Sequence, residues 1–326
     1  MITLLALVNL IAWLAQTTVV IGAGLLILWA STIDAPAARH GALRALLAVC
    51  LLLPLVQPRI PLLSSSDLAL LAPGTGHVDV QVTAVAQPQG WGGAALGTRA
   101  AALPANAIAL VILAGIVARL AWTGTGVVRL RSLRREGERA PGDGEHDELQ
   151  ALIRTRAAIR YGPGLGQPVT FGFRRPVVLL PERLRHLPAP TQRAVVAHEL
   201  WHVRRRDWIW TVAEETLRAA LWFHPAMWVL LSRIQASREE VVDELSVLTT
   251  GSRRNYLDAL LAFADERPLF AAAAFARRRH LVRRMLLISK ESVMSSKRVV
   301  ASSLALAVAV AATGWYSVLA FPLVDG

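Results

Sequence analysis

The stretch LLALVNLIAWLAQTTVVIGAGLLILWA, residues 4–30, decides the class of fold because it contains no charged side chain. An α-helix of this length extends about 40 Å at roughly 1.5 Å per residue, enough to cross the ~30 Å hydrocarbon core of a bilayer. The chain opens with Met1-Ile2-Thr3 and lacks the basic residues that begin a signal peptide. We therefore expect this helix to remain in the protein as a membrane span.

The composition of the whole chain supports a membrane protein. Hydrophobic residues make up 54% of the 326 residues and charged residues only 18%, which is too apolar for an ordinary soluble domain. High apolar content excludes a disordered chain, and glycine shows no triplet period of the collagen type. Cys50 is the single cysteine, so no internal disulfide can form.

Two further segments predict membrane spans clearly. Residues 299–324 lack any charge and follow Lys297 and Arg298, which are good interfacial anchors. Residues 104–122 carry one charge, Arg119, near their end, from where its long side chain can reach the interface. These segments give the third and fourth crossings of a four-helix arrangement.

The second span is the least regular of the four. Only ALLAVCLLLPLVQP, residues 45–58, is uncharged between Arg44 and Arg59. A crossing there requires the two arginines to lie at opposite interfaces and accepts Pro54 as a kink. The alternative is a re-entrant or buried helix.

The charge distribution sets the expected topology. Residues 119–298 hold 31 of the 35 basic and 19 of the 23 acidic side chains, and therefore the whole surplus of 12 positive charges. Basic residues follow the third span and precede the fourth, at Arg129, Arg131, Arg134, Arg135, Arg139, Arg277, Arg278, Arg279, Arg283, Arg284, Lys290, Lys297 and Arg298. The positive-inside rule places this side in the cytoplasm, with both termini and the loop 59–103 outside. Topology and contact with the lipid bilayer explain the basic balance, so we expect no direct nucleic-acid binding.

Three regions follow from this topology. Residues 1–128 comprise three transmembrane helices and the outer loop, residues 129–298 form a cytoplasmic domain, and residues 299–326 form the last span with a short outer tail. Within the middle region, a polar linker at 135–149 precedes a compact unit that starts near Glu148. AAIRYG (157–162) and VTFGFRRPVVLLP (169–181) are β-prone, and the remainder to Phe275 reads as helical.

The segment APTQRAVVAHELWHVRRRDW, residues 189–208, carries the chemistry. Thr191 can cap a helix on which His198 and His202 stand one turn apart, so that both imidazoles can bind one zinc ion. Glu199 projects beside them and can act as the base that activates a water for hydrolysis of a peptide bond. A pair of surface histidines on a basic helix is the alternative, and the glutamate between them argues against it.

A third metal ligand must come from further along the chain. The metzincin continuation HExxHxxGxxH is absent, since Arg205 replaces its glycine and Trp208 its histidine. In SREEVVDEL, Glu239 and Asp243 stand one turn apart on a second helix. We expect Glu239 to bind the metal and Asp243 to accept the outer N–H of one histidine. Glu240, Glu214 and Glu215 remain rivals for the ligand, and Asp207 reads as a cap or an ion-pair partner.

HELWHVRRRDW, WFHPAMWVL and REEVVDELSVL, preceded by VTFGFRRPVVLLP, together resemble the integral-membrane BlaR/MecR-type metallopeptidases over roughly residues 100–320. The resemblance implies a gluzincin-like domain, held on the cytoplasmic face by four membrane helices, that cleaves itself or a cytosolic repressor. By motif it implies zinc bound by His198, His202 and Glu239, with Glu199 as base and Asp243 behind a ligand. It also implies that the VTFGF strand lies along the substrate.

One departure bears on how a signal reaches the site. Penicillin-sensing members carry an acyl-serine domain after the last helix, whereas this sequence has no SxxK and stops at Asp325-Gly326. Any signal is then expected through the loop 59–103, a separate extracytoplasmic sensor, or the membrane itself.

The sequence thus predicts a mainly α membrane protein, with four transmembrane helices and a cytoplasmic-facing α+β zincin-like protease domain. The expected function is a regulatory zinc endopeptidase of the cell membrane that acts on a cytosolic protein, such as a transcriptional repressor, or on itself. The alternatives are a housekeeping protease of lipidated or misfolded proteins and a non-catalytic transducer stabilised by zinc.

Overall fold

The computed structural model describes residues 2–31, 33, 35–57, 59–61, 105–140, 144–263, 282–288 and 296–325. Four helices in this part of the chain are long and apolar enough to cross a membrane: Leu5–Ala30, Pro36–Val56, Asn106–Glu136 and Val300–Ala320. The mainly α fold with four candidate spans is therefore confirmed. Residues 62–103 of the expected outer loop and residues 264–275 of the expected helical region lie outside the described residues.

The helices and strands, numbered in chain order, are as follows. The helices are α1 (Ile2–Ala30), α2 (Pro36–Val56), α3 (Ala105–Glu136), α4 (Gly144–Ile153), α5 (Ala189–Arg205), α6 (Asp207–Ala220), α7 (Pro225–Thr250), α8 (Arg253–Ala262), α9 (282–288) and α10 (Ser296–Ala320). The strands are β1 (Arg59–Pro61), β2 (Glu138–Arg139), β3 (Ala158–Gly162), β4 (Val169–Phe171), β5 (Val177–Pro181) and β6 (Leu323–Asp325).

One end of the membrane bundle is closed by a short parallel pair of strands. Strand β1, which follows α2, pairs with β6, which follows α10. Near the start of α1, Asn9 donates to the Val324 carbonyl and accepts from the Val324 amide, both at 2.8 Å. The start of α1 and the ends of α2 and α10 therefore meet at this end, as alternating crossings require.

The second span begins earlier than the charge pattern indicates. Helix α2 starts at Pro36, whose fixed φ suits a first helical turn, and it continues past Pro54 to Val56. Arg44 consequently lies inside the helix, and its guanidinium carbon stacks 3.4 Å from the centre of the Trp210 ring. About two turns of α2 therefore precede Arg44, and the face of the Trp210 ring offsets the charge of its guanidinium.

The third span is longer than its apolar stretch. Helix α3 runs for 32 residues, or about 48 Å, and reaches well past Trp122 to Glu136. Its last turns pack through Leu130 and Leu133 against the buried side chains of Phe171, Val177 and Leu179. The polar stretch predicted as a linker over residues 135–149 is instead helix to Glu136, strand at Glu138–Arg139 and helix again from Gly144.

A four-stranded sheet in the order β2-β3-β5-β4 supports the site. Strands β3 and β5 are parallel, whereas β2 and β4 pair antiparallel with them. VTFGFRRPVVLLP forms two strands, because Gly172, at φ +96°, begins a turn in which a Cβ would lie 2.9 Å from the Arg175 carbonyl oxygen. Strand β4 is left at the edge of the sheet.

Helices α6 and α7 form a hairpin, and the turn between them contacts the membrane-spanning helices α1 and α3. At this turn, His224 Nε2 lies 2.8 Å from Thr17 Oγ1 of α1, and Trp222 Nε1 donates to the Ile112 carbonyl of α3 at 3.1 Å. Gly115 admits the Trp222 ring, since a Cβ there would lie 2.3 Å from it. The hairpin therefore links the membrane bundle to the sheet.

A buried apolar cluster joins α7 to three of the spans. We call it the membrane cluster, and its buried members are Val20, Ile21, Leu28, Ile33, Leu43, Leu46, Cys50, Met227, Leu230, Leu231, Ile234, Leu306 and Val310. Its α7 residues end only five positions before Glu239. The half of α7 that carries the predicted metal ligand thus continues directly from the half that is packed in the bundle.

Candidate metal centre

Helix α5 presents both histidines on one face. It begins at Ala189 after Pro188, so Thr191 lies within the first turn and is buried rather than capping the helix. The Nε2 atoms of His198 and His202 lie 3.2 Å apart. Two imidazole nitrogens at this distance, both turned to one point, are suited to sharing a cation.

The outer nitrogen of His198 is fixed by a tyrosine. The Tyr256 hydroxyl of α8 lies 2.7 Å from His198 Nδ1 and donates to Asp243 Oδ1 at 2.5 Å. Because the hydroxyl proton goes to the carboxylate, His198 Nδ1–H donates to the hydroxyl oxygen and its Nε2 keeps a free lone pair. Burial and the neighbouring Asp243 raise the pKa of Tyr256 well above its ordinary value, which keeps this hydroxyl protonated.

The outer nitrogen of His202 is fixed by a carboxylate. Its Nδ1 lies 2.9 Å from Asp207 Oδ2 at the start of α6, and Asp207 also pairs with Arg205 Nε at 3.2 Å. Burial opposes charge on His202, but Glu239, Asp207 and Glu199 together raise the pKa of His202 to about 9. In the metal-free protein the raised pKa therefore favours protonated His202, because the surrounding carboxylates stabilise a positive charge at this position.

Glu239 completes the group from α7. Its two carboxylate oxygens lie 3.5 Å from His198 Nε2 and 3.7 Å from His202 Nε2. Burial works against ionisation, yet His202, the contact with His198 and Arg284 hold the pKa of Glu239 well below its usual range. Tetrahedral ligands at about 2.0–2.1 Å from zinc lie roughly 3.3–3.4 Å apart, so these three side chains fit such an ion with little movement.

Asp243 lies behind His198 but reaches it through Tyr256. Its Oδ1 is 3.5 Å from His198 Nδ1, beyond hydrogen-bond distance, and the Tyr256 hydroxyl contacts both groups and bridges them. Arg284 of α9 binds Asp243 with two hydrogen bonds of 2.6 and 2.8 Å. The same guanidinium lies 3.8 Å from Glu239, so one arginine neutralises both acids of the ExxxD motif.

Glu199 lies beside the histidines and is held by the edge strand. Its Oε2 accepts a hydrogen bond from Thr170 Oγ1 of β4 at 2.6 Å, and its side chain is buried. The position predicted for a base is thus fixed next to the backbone of an edge strand.

The three rival acids are engaged elsewhere. Glu240 pairs with Arg283 at 2.9 Å and with Arg39 at 3.8 Å. Glu214 pairs with Arg238 in the interior, and Glu215 pairs with Arg218 at 3.7 Å. Among the described residues, Glu239 alone joins the two histidines in a group able to hold a metal.

Four side chains were not predicted from the sequence to be neighbours of the site. They are Thr170, Asp207, Tyr256 and Arg284. Tyr256 lies 58 residues from His198, and no spacing connects them. Asp207 offered a weak signal, because an acid five residues after a histidine can fold back once the helix ends. It was interpreted only as a cap or an ion-pair partner, and it is in fact both an ion-pair partner and the support of His202.

Replacing Arg238 by Ala is expected to destabilise the fold by about 3–5 kcal/mol, because it leaves Glu214 buried without its partner. Thermal unfolding in detergent, followed by tryptophan fluorescence, measures the loss. Arg233→Ala on the exposed face of the same helix is the control and should change stability by about 0.5 kcal/mol or less. Equal melting of the two variants would show that the buried pair is not needed.

Comparison with known proteins identifies the family of the chain. Residues 16–288 match the family of the BlaR1 peptidase M56. A curated relative, "Regulatory protein BlaR1" of Bacillus licheniformis, is 27% identical over 194 residues, an alignment that covers 53% of this chain and 32% of the relative. The chain therefore spans about a third of the length of that relative. Since the family match covers most of the sequence, the chain belongs to the BlaR1 peptidase M56 family.

Proposed function

We propose that the chain is a zinc-dependent endopeptidase of the cell membrane, which cleaves a cytosolic repressor-like protein or its own chain to relay a signal. The observation that carries this proposal is the convergence of His198, His202 and Glu239, with both histidine tautomers fixed so that Nε2 faces the common point. Glu199 beside this point favours catalysis, since a purely structural metal site has no use for an adjacent free base.

The roles of the residues follow from this geometry. Bound by the three ligands, zinc would supply Lewis-acid chemistry by lowering the pKa of a water and polarising the scissile carbonyl. Glu199 takes the proton of the attacking water and passes it to the leaving amine. Thr170 occupies Oε2 of Glu199, which leaves Oε1 for the proton. Asp207 and Tyr256 keep the two imidazoles oriented.

The edge strand suggests how substrate binds. Strand β4 pairs with β5 on one side and has no strand partner on the other among the described residues. An extended peptide added to this edge would gain backbone hydrogen bonds and run past Glu199, which Thr170 ties to the strand. The proposed substrate is therefore an extended segment rather than a folded surface.

The side of the membrane follows from the basic residues. Exposed arginines at the far end of α3, at positions 129, 131 and 135, lie beyond its apolar part, towards the sheet. The positive-inside rule puts this end, with the metal centre, in the cytoplasm. The β1–β6 end then faces outwards.

A regulatory role is supported by α7. Its first half is packed in the membrane cluster, and its second half carries Glu239. Ser237, between these halves, hydrogen-bonds His40 of α2 at 2.9 Å. A displacement of α1 or α2 would thus act on a metal ligand through a single rigid helix, a link that a housekeeping protease does not need.

Removing the metal from the purified chain should abolish cleavage. We expect 1,10-phenanthroline to stop digestion of unfolded β-casein and any self-cleavage, and about one equivalent of zinc to restore both. Gel electrophoresis and mass spectrometry measure the products. Cleavage that survives metal removal would contradict the proposal, and zinc binding without any cleavage would favour the non-catalytic transducer.

A further inference from the structure

A cavity of about 290 Å³ opens directly beside the metal centre. Its wall includes His202, Thr170 of the edge strand, and Gly172 and Trp208. Because Thr170 also holds Glu199, a chain lying at the proposed base would pass the mouth of this cavity.

Four arginines line the same cavity: Arg154, Arg156, Arg204 and Arg206. All four are exposed, and none forms an ion pair with a carboxylate of the described residues. Arg205, which stands between Arg204 and Arg206 in the sequence, differs from them because it forms an ion pair with Asp207. A concave site lined by charges of one sign concentrates its field and attracts ions of the opposite sign.

The backbone places two of these arginines at unusual positions. Arg154 and Arg206 have φ of 55° and 58° and are the residues other than glycine that adopt positive φ in the described part of the chain. Both directly follow helices, α4 and α5, at the position where glycine is strongly favoured. Two arginines therefore occupy positions where the backbone conformation favours glycine, and both line the same cavity.

The positive surface continues into a second cavity of about 1030 Å³. It shares Arg154 and Arg156 with the first cavity and is further lined by Arg139, Arg174 and Arg175, among others. Asp147 is the one acidic side chain among the described residues that line either cavity. We call this continuous surface the arginine groove: Arg139, Arg154, Arg156, Arg174, Arg175, Arg204 and Arg206.

We propose that the arginine groove binds acidic side chains of the polypeptide substrate on one side of the scissile bond. This inference rests on the proposed function and adds the class of substrate. An extended chain advances about 3.3 Å per residue along an edge strand, so side chains within about two to five residues of the bond reach the groove. Arginine suits this role because its guanidinium binds carboxylates through two parallel hydrogen bonds.

A peptide is favoured over the other anions that such a surface attracts. The groove starts at His202 and at the strand that would receive the substrate, whereas its lining contains no member of the membrane cluster. Anionic lipid or nucleic acid would need no contact with the metal centre.

The test compares peptides that differ only in charge. The full chain in neutral detergent is given a proteome-derived peptide mixture, and mass spectrometry identifies the bonds that are cut. Two matched peptides are then made from a cut sequence, one with Asp and Glu near the bond and one with Asn and Gln. We expect the wild type to cleave the acidic peptide at least about tenfold more efficiently, judged by kcat/KM.

Two variants with the same change in net charge separate the groove from general electrostatics. Arg154, Arg156, Arg204 and Arg206 are replaced together by Gln in the groove variant. Exposed arginines outside both cavities, Arg129, Arg131, Arg233 and Arg254, are replaced by Gln in the control. The ratio of acidic to amide peptide should fall to near one in the groove variant and stay near the wild-type value in the control.

Several results would overturn the inference while leaving the protease intact. They are equal cleavage of both peptides by the wild type, a preference that survives in the groove variant, and an equal loss in both variants. Binding of phosphatidylglycerol in nanodiscs that the groove variant alone loses, with the peptide preference unchanged, would assign the groove to lipid.

Peptide binding can be measured independently of cleavage, so the groove can be tested even if the protein is not a protease. If no peptide is cut, two extended peptides that differ only in Asp and Glu against Asn and Gln are labelled, and fluorescence anisotropy measures their binding to the Glu199→Gln protein. Tighter binding of the acidic peptide, lost with the four groove arginines, would support the groove on its own, and equal binding would overturn it.

Discussion

Replacing Glu199 by Gln is expected to lower the rate of peptide cleavage by about 10²–10⁴-fold while zinc stays bound. Glutamine keeps the size of the side chain and can still accept the hydrogen bond from Thr170. It cannot take a proton from water or return one to the leaving amine. The expected variant is therefore folded and loaded with metal but inactive.

The matched control for Glu199 is Glu244, an exposed acid on α7. Glu244→Gln removes the same charge and should cleave at the wild-type rate. Zinc content by atomic emission and digestion of β-casein are measured on all three proteins. If Glu199→Gln cleaved at the wild-type rate, Glu199 would not be the base. If the variant lost zinc, Glu199 would be a metal ligand instead.

Replacing Glu239 by Ala is expected to remove zinc and activity together. Structural zinc sites bind with about 10–16 kcal/mol in total, so one of four ligands contributes roughly 2.5–4 kcal/mol, or about two to three orders of magnitude in affinity. The variant also leaves His202 without its strongest electrostatic support, since Glu239 is the largest of the influences that raise the pKa of His202.

The rival acids provide the controls for Glu239. Glu240→Gln and Glu215→Gln should retain zinc, because their carboxylates face arginines rather than the histidines. Glu240→Gln is expected to lose some stability, since Arg283 then loses its partner. If Glu239→Ala retained zinc and Glu240→Gln lost it, the ligand would be Glu240 rather than Glu239.

Short-range patterns in the sequence predicted the three side chains that the structure brings together as a candidate metal site. His198, Glu199 and His202 share one helical turn or lie next to each other, so helical geometry alone brings them together. Glu239 and Asp243 are likewise related by one turn, and this spacing selected Glu239 over three other acids. Long uncharged stretches predicted the spans, because crossing a bilayer requires a minimum length.

Long-range packing decided what the sequence left open. The Tyr256 hydroxyl between His198 and Asp243 depends on how α8 crosses α5, and the Arg284 contact depends on where α9 lies against α7. Neither follows from a local pattern. The contact of Arg44 with Trp210 could not be predicted for the same reason, since the two residues are more than 160 positions apart in the sequence. The hairpin α6–α7, wedged into the bundle, likewise has no counterpart in the periodicity of the sequence.

We propose that two imidazoles from α5 and a carboxylate from α7 bind one zinc ion. X-ray absorption at the zinc edge, measured on the purified wild-type chain, tests it most directly. We expect about one zinc per chain, with nitrogen and oxygen neighbours at about 2.0–2.2 Å and two histidines in the multiple-scattering signal. A sulfur neighbour at about 2.3 Å, which only Cys50 or a methionine could supply, or a chain purified without any zinc affinity, would contradict the account.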